Sequence, residues 1–435
     1  MKCFMYVKIS INKNKLLISS LLLMLCLTGC GKAGNLQENK NYSSEVLQTQ
    51  TEEALPNDDT IPPPTPQPTS EPTATPAPTP IPEPPTITLA MVGDMLMHEK
   101  VMESGLQEDG SYEFGHLFQH VEDRIQEADL ALVNQETILG GTQMGLTGYP
   151  CFNSPYELGV AEVEAGFDVI LHATNHALDK GKKGAMNCMD FWKEQYPEVP
   201  YLGINESKEQ QDRIYIYEQE GMKLAILNYT YGTNGISTPA DMPYLVNYLE
   251  KEQVVEDLQQ ANELADFTIV CPHWGKEYSL GVSAEQESWS KIFLENGVDL
   301  VLGTHPHVIE PVKWVADDNG NQMLVYYSLG NFVNGTSGTG EGVMNRCVGG
   351  LAEVEIGRDE VGQVVIKRYD CIPLVCHIAE GDEYTVWFLE DYTEELAAEN
   401  AIIKQDSDFS LENCKVLVEK VWGESDSIPI EKEKP

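Results

Sequence analysis

The amino-acid sequence predicts an α/β fold with a largely parallel core and a second, antiparallel sheet. From Thr86 onward, short apolar runs alternate with amphipathic stretches of helical length. This alternation is typical of parallel sheets that are covered by helices. Later in the chain, strand-like runs follow one another without helices between them, which indicates antiparallel pairing. A hydrophobic content of 42% is enough for a sizeable core and excludes a chain that is disordered throughout.

The predicted elements follow from the spacing of apolar residues. Apolar runs bounded by turn residues predict strands, in chain order Ile87–Val92, Leu130–Val133, Asp168–His172, Tyr215–Tyr217, Leu224–Tyr229, Phe267–Cys271, Leu300–Leu302, Met323–Tyr327, Leu351–Ile356 and Val364–Tyr369. Apolar residues at helical spacing predict helices, namely Phe114–Ala128, Tyr156–Ala165, Ala185–Gln195, Leu245–Leu264 and Ala284–Asn296. Residues 376–435 are acidic and are interpreted as a partly helical C-terminal appendage, with helices at Tyr392–Ile403 and Leu411–Val421.

The N-terminus has the pattern of an export signal. Four lysines and no acidic residue lie in residues 1–15, and the apolar run Leu16–Leu27 follows. The run ends in Leu27-Thr28-Gly29-Cys30, which resembles the bacterial lipobox, so residues 1–30 are predicted to be a lipoprotein signal peptide. Cys30 would then carry the lipid that holds the protein at the outer face of the cell membrane. The alternative is an uncleaved N-terminal helix, and both alternatives place the rest of the chain outside the cytoplasm.

Residues 31–85 are predicted to be a disordered linker. Thirteen of the chain's 25 prolines lie in residues 56–85, among Thr, Ser, Ala and Glu. Proline removes backbone donors and fixes φ, so this stretch favours an extended polyproline-type spacer over a helix or sheet. Such a spacer would hold the folded domain away from the membrane.

The charge of the chain limits its partners. Lys and Arg total 28 against 69 Asp and Glu, which gives a formal net charge of −41. Nucleic-acid binding is therefore not expected, because basic side chains are needed to displace phosphate counterions.

Polar residues gather where the predicted strands end. Six apolar runs lead into polar clusters, which are Gly93-Asp94, Asn134-Gln135-Glu136, Asn175-His176 with Asp179, His273-Trp274-Gly275-Lys276-Glu277, His305-Pro306-His307 and Ser328-Leu329-Gly330-Asn331. The carboxyl ends of the strands form the binding crevice of open α/β sheets, so the clusters are expected to converge on one site. Histidine and carboxylate ligands suit Mn, Fe, Zn and similar divalent ions. His305 and His307 are expected to lie on one side of an extended segment.

The order of these clusters resembles the CapA family of bacterial capsule-synthesis proteins, which are associated with poly-γ-glutamate production and export. The resemblance runs from about Ile87 to Asn334 and more weakly to Pro373, and it is carried by the motifs GD, NQE, ATNHALD, HWGKEY, GTHPHV and YSLGNF. The family is similar to the calcineurin-like metallophosphatases. The resemblance therefore implies a four-layer α-β-β-α sandwich over residues 86–375.

The resemblance also implies roles for individual residues. It implies one or two divalent ions (Mn, Fe, Zn or Mg) held by Asp94, Glu136, Asn175, His273, His305 and His307. His176 would act on the leaving group or stabilise the transition state. Asp179 either orients His176 or caps a helix, and Glu277 is either a general base or part of a surface salt bridge. The phosphatase pattern Asp-x-His is absent from the first strand, where Met95 and Leu96 follow Asp94, and His98 is the alternative ligand.

Three functions remain open from the sequence. The first is a surface-anchored, metal-dependent hydrolase that cleaves a phosphoester or a polymer amide. The second is a non-catalytic component of capsule or poly-γ-glutamate assembly, whose pocket binds an anionic polymer or another capsule-synthesis protein. The third is a structural module in which the polar clusters only hold loops together.

Overall fold

In the computed structural model, residues 7–9, 84–336 and 338–423 are described, and they contain two mixed β-sheets. The strands are β1 Val7–Ile9, β2 Thr86–Leu96, β3 Leu130–Gln135, β4 Val169–Leu171, β5 Tyr201–Leu202, β6 Tyr215–Gln219, β7 Met222–Thr230, β8 Phe267–His273, β9 Leu300–Leu302, β10 Val312–Ala316, β11 Gln322–Tyr326, β12 Asn331–Asn334, β13 Val348–Arg358, β14 Val364–Ile378 and β15 Tyr384–Phe388. Cys30 and nearly all of the predicted linker lie outside the described residues. Of the predicted signal peptide, only β1 lies within them.

Sheet A has the strand order β1-β6-β7-β8-β9-β11-β10. Its centre, β7-β8-β9-β11, is parallel, and β10 closes one side in antiparallel orientation. Strands β6 and β7 form the predicted hairpin, in which Glu220 and Gly221 have φ values of 53° and 71°. Positive φ at both turn residues matches the twist of a two-residue hairpin, and glycine adopts it without steric cost.

Sheet B has the strand order β15-β14-β13-β2-β3-β4-β5, and β12 also pairs with β2. Strands β2 to β5 are parallel, whereas β13, β14 and β15 add the predicted antiparallel part. The boundary predicted at residue 375 falls inside β14, and β15 beyond it forms the edge of the same sheet.

The two sheets pack face to face between two layers of helices. Alternation along β2 sends Leu89 and Met91 into the core between the sheets, where Leu224 and Ile269 of sheet A meet them. The helices Tyr156–Ala165 and Gly181–Gln195 cover the outer face of sheet B, and the helices Lys251–Leu264 and Ala284–Glu295 cover the outer face of sheet A. The four-layer α-β-β-α sandwich expected from the resemblance is therefore confirmed.

Several of the predicted helices differ from those observed. The helix predicted as Tyr392–Ile403 is a helix at Glu394–Glu399 followed by a 3₁₀ helix at Ala401–Lys404, and the helix predicted from Ala185 begins at Gly181. The stretch predicted as Phe114–Ala128 is a 3₁₀ turn at Gly115–Leu117 followed by a short helix at Glu122–Glu127. The helix predicted from Leu245 begins only at Lys251. Residues 245–249 are extended instead, because Asn205 donates its backbone N–H to Leu245 and Leu249 donates to Thr230. The smaller helices are Glu99–Ser104 and Lys208–Gln211.

The C-terminal segment packs against sheet B. The helices Glu394–Glu399 and Leu411–Trp422 bury Ala397, Cys414 and Leu417 in a cluster with Val348 of β13 and Val375 of β14. Within the described residues, none of the helices is both long enough and apolar enough to cross a bilayer.

Candidate metal centre

The parallel strands of both sheets deliver polar side chains to one buried position. Asp94 lies near the end of β2, Asn134 near the end of β3, and His273 is the last residue of β8. All three side chains are buried. Gly93 lies inside β2 and lets this strand approach Gly330 closely, because a Cβ atom at position 93 would lie 1.9 Å from the Gly330 carbonyl oxygen. That close approach lets the Asp94 N–H donate to Gly330 O at 2.9 Å.

Glu136 lies at the centre of this group and is completely buried. Its Oε1 is 3.7 Å from His273 Nε2, 3.7 Å from His307 Nε2 and 3.9 Å from His176 Nε2. Among the described residues, neither carboxylate oxygen of Glu136 has a hydrogen-bond partner. A buried carboxylate without partners is strongly unfavourable unless a cation or a proton compensates it.

Asp94 connects the first strand to the two histidines of the HPH motif. Its Oδ2 is 3.1 Å from His307 Nδ1, and its carboxylate accepts the backbone N–H of His305 at 3.2 Å. Asn134 Nδ2 donates to Asp94 Oδ1 at 2.9 Å. Asn331 completes the surroundings of His307, because its Oδ1 is 3.1 Å from the same Nδ1 atom.

His273 is held on both ring nitrogens. Its Nδ1 is 3.0 Å from Thr304 Oγ1, and its Nε2 is 3.0 Å from Asn175 Oδ1. The ring of His305 lies 4.8 Å from that of His273, and its buried Nδ1 atom has no partner in the described part of the chain. Six predicted ligands, Asp94, Glu136, Asn175, His273, His305 and His307, are thus brought together.

The prediction that the HPH segment is extended is wrong. His305 and His307 have φ values of 101° and 60°, so both residues occupy conformations that are unfavourable for non-glycine side chains. The two rings nevertheless lie 5.7 Å apart. Strained backbone of this kind persists where the surrounding contacts fix it, and here the N–H bond of His305 to Asp94 is one such contact.

His176 and Asp179 form a separate pair beside Glu136. His176 Nδ1 is 2.7 Å from Asp179 Oδ2, and the same oxygen accepts the backbone N–H of Phe152 at 2.6 Å. A carboxylate at Nδ1 fixes the ring orientation and leaves Nε2 directed elsewhere, here toward Glu136. Two roles were predicted for Asp179, and its described hydrogen bonds go to His176 and Phe152 and not to the first turn of the helix Gly181–Gln195.

Burial and charge shift the pKa values of the group. Burial lowers the pKa values of His273 and His305 well below their usual range, which favours the neutral imidazole that metal ions require. Burial raises the pKa of Glu136 well above 4.5, and Asp94 adds to the rise while His307 opposes it. Burial also opposes charge on His307, but attraction to Glu136 and the hydrogen bond to Asp94 outweigh it and raise its pKa to about 9.

Glu277 and His98 lie outside this cluster. Glu277 is exposed, but its charge acts on the site: after burial and Asp94 it adds to the rise in the pKa of Glu136, and after Glu136 and Asp94 it adds to the rise in the pKa of His307. His98 lies beside Phe152, with ring centroids 5.2 Å apart, and burial lowers its pKa to about 4. Within the described residues, neither side chain forms a hydrogen bond with one of the six clustered residues, although after burial the charge of His307 contributes to the lowered pKa of His98.

Several residues around the site were not selected from the sequence. Asn134 and Asn331 belong to the motifs NQE and YSLGNF, so their positions at strand ends were the available signal. Tyr231 lies over His305, with ring centroids 4.6 Å apart, and Tyr278 lies 6.0 Å from His307. Tyr278 is the last residue of the HWGKEY motif, whereas nothing in the local sequence distinguishes Tyr231 from a core residue.

The residues present fit a divalent cation. Metal–ligand bonds of about 2.0 to 2.2 Å place two ligands of one ion roughly 3 to 4 Å apart. The separations of 3.7 Å around Glu136 lie in this range, and Glu136, His305 and His307 can offer ligand atoms within 4.8 Å of one another. The unpartnered oxygens of Glu136 and the unpartnered Nδ1 of His305 are the atoms that such an ion would satisfy.

The chain is similar to capsule-synthesis proteins in sequence. It is 29% identical over 261 residues to the capsule biosynthesis protein CapA of Bacillus anthracis, covering 57% of this chain and 59% of that protein. It is 28% identical over 171 residues to the PGA biosynthesis protein CapA of Bacillus subtilis, covering 39% and 43%. The chain thus aligns with less than two thirds of each relative.

Solved structures with a similar arrangement include two nucleotidases. One is the NAD nucleotidase of Haemophilus influenzae, with a TM-score of 0.43 and 13% identity, covering 78% of this chain and 67% of that one. Another is a putative 5′-nucleotidase of Staphylococcus aureus, with a TM-score of 0.43 and 14% identity, covering 69% of this chain and 57% of that one.

The family model described as bacterial capsule synthesis protein PGA_cap matches residues 88–336, more than half of the chain. The chain therefore belongs to this family of bacterial capsule synthesis proteins.

Proposed function

We propose that this protein is a metal-dependent hydrolase of the phosphoesterase type that acts in capsule or poly-γ-glutamate synthesis. The observation that carries the proposal is the state of Glu136. Its buried carboxylate lies among three imidazole nitrogens at 3.7 to 3.9 Å, and the described residues give it no hydrogen bond. A polar group of this kind is costly in a structural core and useful in a metal site.

The residues assigned to the ion are Asp94, Glu136, Asn175, His273, His305 and His307. A divalent ion held there supplies Lewis acidity and positive charge opposite the negative charge that develops during ester cleavage. Asn134, Thr304 and Asn331 hold the ligands in place through the hydrogen bonds described above.

His176 is assigned to proton transfer. Asp179 holds its Nδ1, so the ring presents Nε2 toward the ligand group. A histidine oriented in this way can give a proton to a departing oxygen from Nε2. Glu277 is exposed and forms no hydrogen bond with this pair among the described residues, so its contacts do not support a general-base role.

We place this activity outside the cytoplasm, at the membrane surface. The basis is the sequence of the leader and of the Leu27–Cys30 motif, which resembles a lipobox. The lipid on Cys30 would be the contact with the membrane, and the Pro-rich linker would set the distance of the domain from it. The family description supports a role in capsule synthesis. An anionic polymer or other capsule-synthesis proteins would be the partners in that role.

The test measures metal content and hydrolysis in the same preparation. The full-length chain is purified in detergent without chelator, its ions are counted by mass spectrometry, and phosphomonoesters and phosphodiesters are offered as substrates. Asp94→Asn is expected to lose both metal and hydrolysis. His120→Ala, which removes a histidine that stacks on Trp387 away from the site, is the matched control and should keep both.

The outcomes separate the proposal from its competitor. The hydrolase is supported if the wild type contains metal and hydrolyses an ester, and if Asp94→Asn abolishes that hydrolysis. Metal without hydrolysis of any ester contradicts catalysis and favours a polymer-binding component. Absence of metal after reconstitution with Mn, Fe and Zn contradicts the metal centre itself.

A further inference from the structure

Arg346 lies one aromatic ring away from the candidate metal centre. Its guanidinium carbon is 3.7 Å from the centre of the Tyr278 ring, and that ring is 6.0 Å from the ring of His307. The guanidinium is therefore no more than about 10 Å from the His307 imidazole. The backbone of Arg346 is linked to His307 through Asn331, because Asn331 Nδ2 donates to Arg346 O at 2.9 Å and Asn331 Oδ1 contacts His307 Nδ1.

The charge of Arg346 is not neutralised by a carboxylate of the described chain. Nη1 donates to Thr336 Oγ1 at 2.9 Å, and the buried Nε has no hydrogen-bond partner there. In contrast, Arg124 forms an ion pair with Glu353 at 2.7 Å, and Arg358 and Arg368 also lie beside acidic groups. An unpaired, half-buried arginine is unexpected in a chain with 69 acidic and 28 basic residues.

The stacking geometry leaves the guanidinium able to bind an anion. A guanidinium that lies over an aromatic ring is attracted through its face, while its N–H donors point outward in its own plane. Two of these donors form a fork that matches the two oxygens of a phosphate or a carboxylate. Tyr231 and Tyr278 are 39% and 48% exposed, so both rings remain accessible to a ligand beside His305 and His307.

We propose that Arg346 and Tyr278 form an oxyanion subsite that binds a phosphate or carboxylate group of the substrate. The subsite rests on the proposed function in one respect, because it assumes that the substrate reaches the neighbouring ligand cluster. A substrate that uses both would carry an oxyanion within about 10 Å of the bond that is cleaved. In a protein of strongly negative charge, a local cation is needed to hold such a group.

The experiment measures oxyanion affinity by isothermal titration calorimetry on the full-length protein. The probes are inorganic phosphate and a tripeptide of glutamate, each titrated with metal and again in EDTA. Arg346→Met is expected to weaken binding of at least one probe by about 10- to 100-fold, the range for a lost charge-assisted hydrogen bond. Arg346→Lys should lose less, because it keeps the charge without the fork. Arg213→Met is the matched control, since Arg213 is exposed and lines a cavity that includes none of the six ligand residues, and it should leave both affinities unchanged.

The results identify which oxyanion is bound and whether the proposal holds. A loss confined to phosphate, or to the glutamate peptide, assigns the subsite to that group, provided that metal content stays at the wild-type level. Unchanged affinity of both probes in Arg346→Met overturns the subsite, as does failure of both probes to bind the wild type. A protein without metal contradicts the proposed function instead, and Arg346-dependent binding that persists in EDTA would keep the subsite. If Arg346→Met itself loses metal, Arg346 is structural and the subsite is wrong.

Discussion

Replacing Glu136 by Gln should change the stability of the protein in opposite directions with and without metal. The side chain keeps its shape but loses the carboxylate that is buried among His176, His273 and His307. Without metal, the ionised carboxylate is a cost that the folded state carries and the unfolded chain does not. With metal, the same carboxylate is a ligand, and its loss weakens the ion's contribution to stability.

The size of each effect follows from the structure. A buried carboxylate without hydrogen bonds costs more than a buried neutral amide without hydrogen bonds, by on the order of 2 kcal/mol, and Glu136→Gln removes this difference. For roughly 340 folded residues, the entropy of unfolding is about 0.7 kcal/mol per kelvin, so the metal-free variant should melt about 3 °C above the wild type. Metal at 100 times its dissociation constant stabilises the wild type by about 2.7 kcal/mol, or about 4 °C. The variant should show little of this shift.

The direction in which stability changes with pH can also be tested. Burial holds the pKa of Glu136 above the value of 4.5 that applies to the unfolded chain. The metal-free wild type therefore loses stability as the pH rises above about 4.5, until the folded-state pKa is passed. Glu136→Gln removes this dependence, so the advantage of the variant in EDTA should grow from pH 5 to pH 8.

Thermal unfolding in EDTA and in Mn or Zn, at pH 5 and pH 8, measures all of these quantities. The matched control is Glu162→Gln, because Glu162 is equally buried, lacks partners for both oxygens in the described structure and has its pKa raised by burial. The control should gain stability in EDTA and keep the full metal shift. A Glu136→Gln protein that is less stable than the wild type in EDTA at pH 8, or that keeps the full metal shift, would refute the reasoning.

Two further predictions concern proton transfer and anchoring. His176→Ala should keep its metal and lose hydrolysis by about 10²- to 10⁴-fold, whereas Asp179→Asn should lose about 10- to 100-fold because the ring is only misoriented. Both effects are measured as kcat, with the metal content of each variant determined in parallel. Loss of metal together with activity in His176→Ala would make His176 a ligand. Cys30→Ser should block lipidation and leave the leader attached, and palmitate labelling and a gel shift would detect these two changes. Processing of the wild type that is insensitive to globomycin would contradict the lipobox.

The parts of the fold that depend on local patterns could be predicted from the sequence. The strand Leu300–Leu302 and the helix Tyr156–Ala165 have the predicted bounds, because turn residues flank one and a regular apolar spacing marks the other. The polar ends of β2, β3 and β8 could also be located, since each follows an apolar run directly. Parallel pairing brings the ends of β2 and β3 to one edge of sheet B. The end of β8 belongs to sheet A and reaches the same site through the packing of the two sheets.

Other parts depend on contacts that no local pattern encodes. Residues 245–249 have the apolar spacing of a helix, yet pairing with Thr230 and Asn205 keeps them extended. The stretch from Phe114 to Ile125 buries Leu117, Phe118 and Val121 as a continuous helix would, so the periodicity identified the buried face but not the break. Tertiary pairing outweighs propensity in both cases.

The predicted site was incomplete for the same reason. Motif spacing identified residues at the strand ends, but it gave no indication that Arg346, fifteen residues beyond Asn331, returns to the same place. Arg346 follows a glycine-rich stretch with no recognisable pattern. Its position becomes apparent only through the contacts with Asn331 and Tyr278.

The residues beyond 375 matter to this site although they supply none of its ligands. Asp406 accepts the backbone N–H of Met344 at 2.9 Å, two residues before Arg346, and Gly340 donates to Gln405 O at 2.9 Å. Trp422 donates its indole N–H to the carbonyl of Glu310, three residues after His307. The segment that carries Arg346 and the segment that carries the HPH motif therefore both contact the C-terminal segment, one at Gln405 and Asp406 and the other at Trp422. Because an arginine fork and an imidazole must be held within fractions of an ångström to bind one ligand together, the acidic C-terminal segment acts as the support that sets their separation.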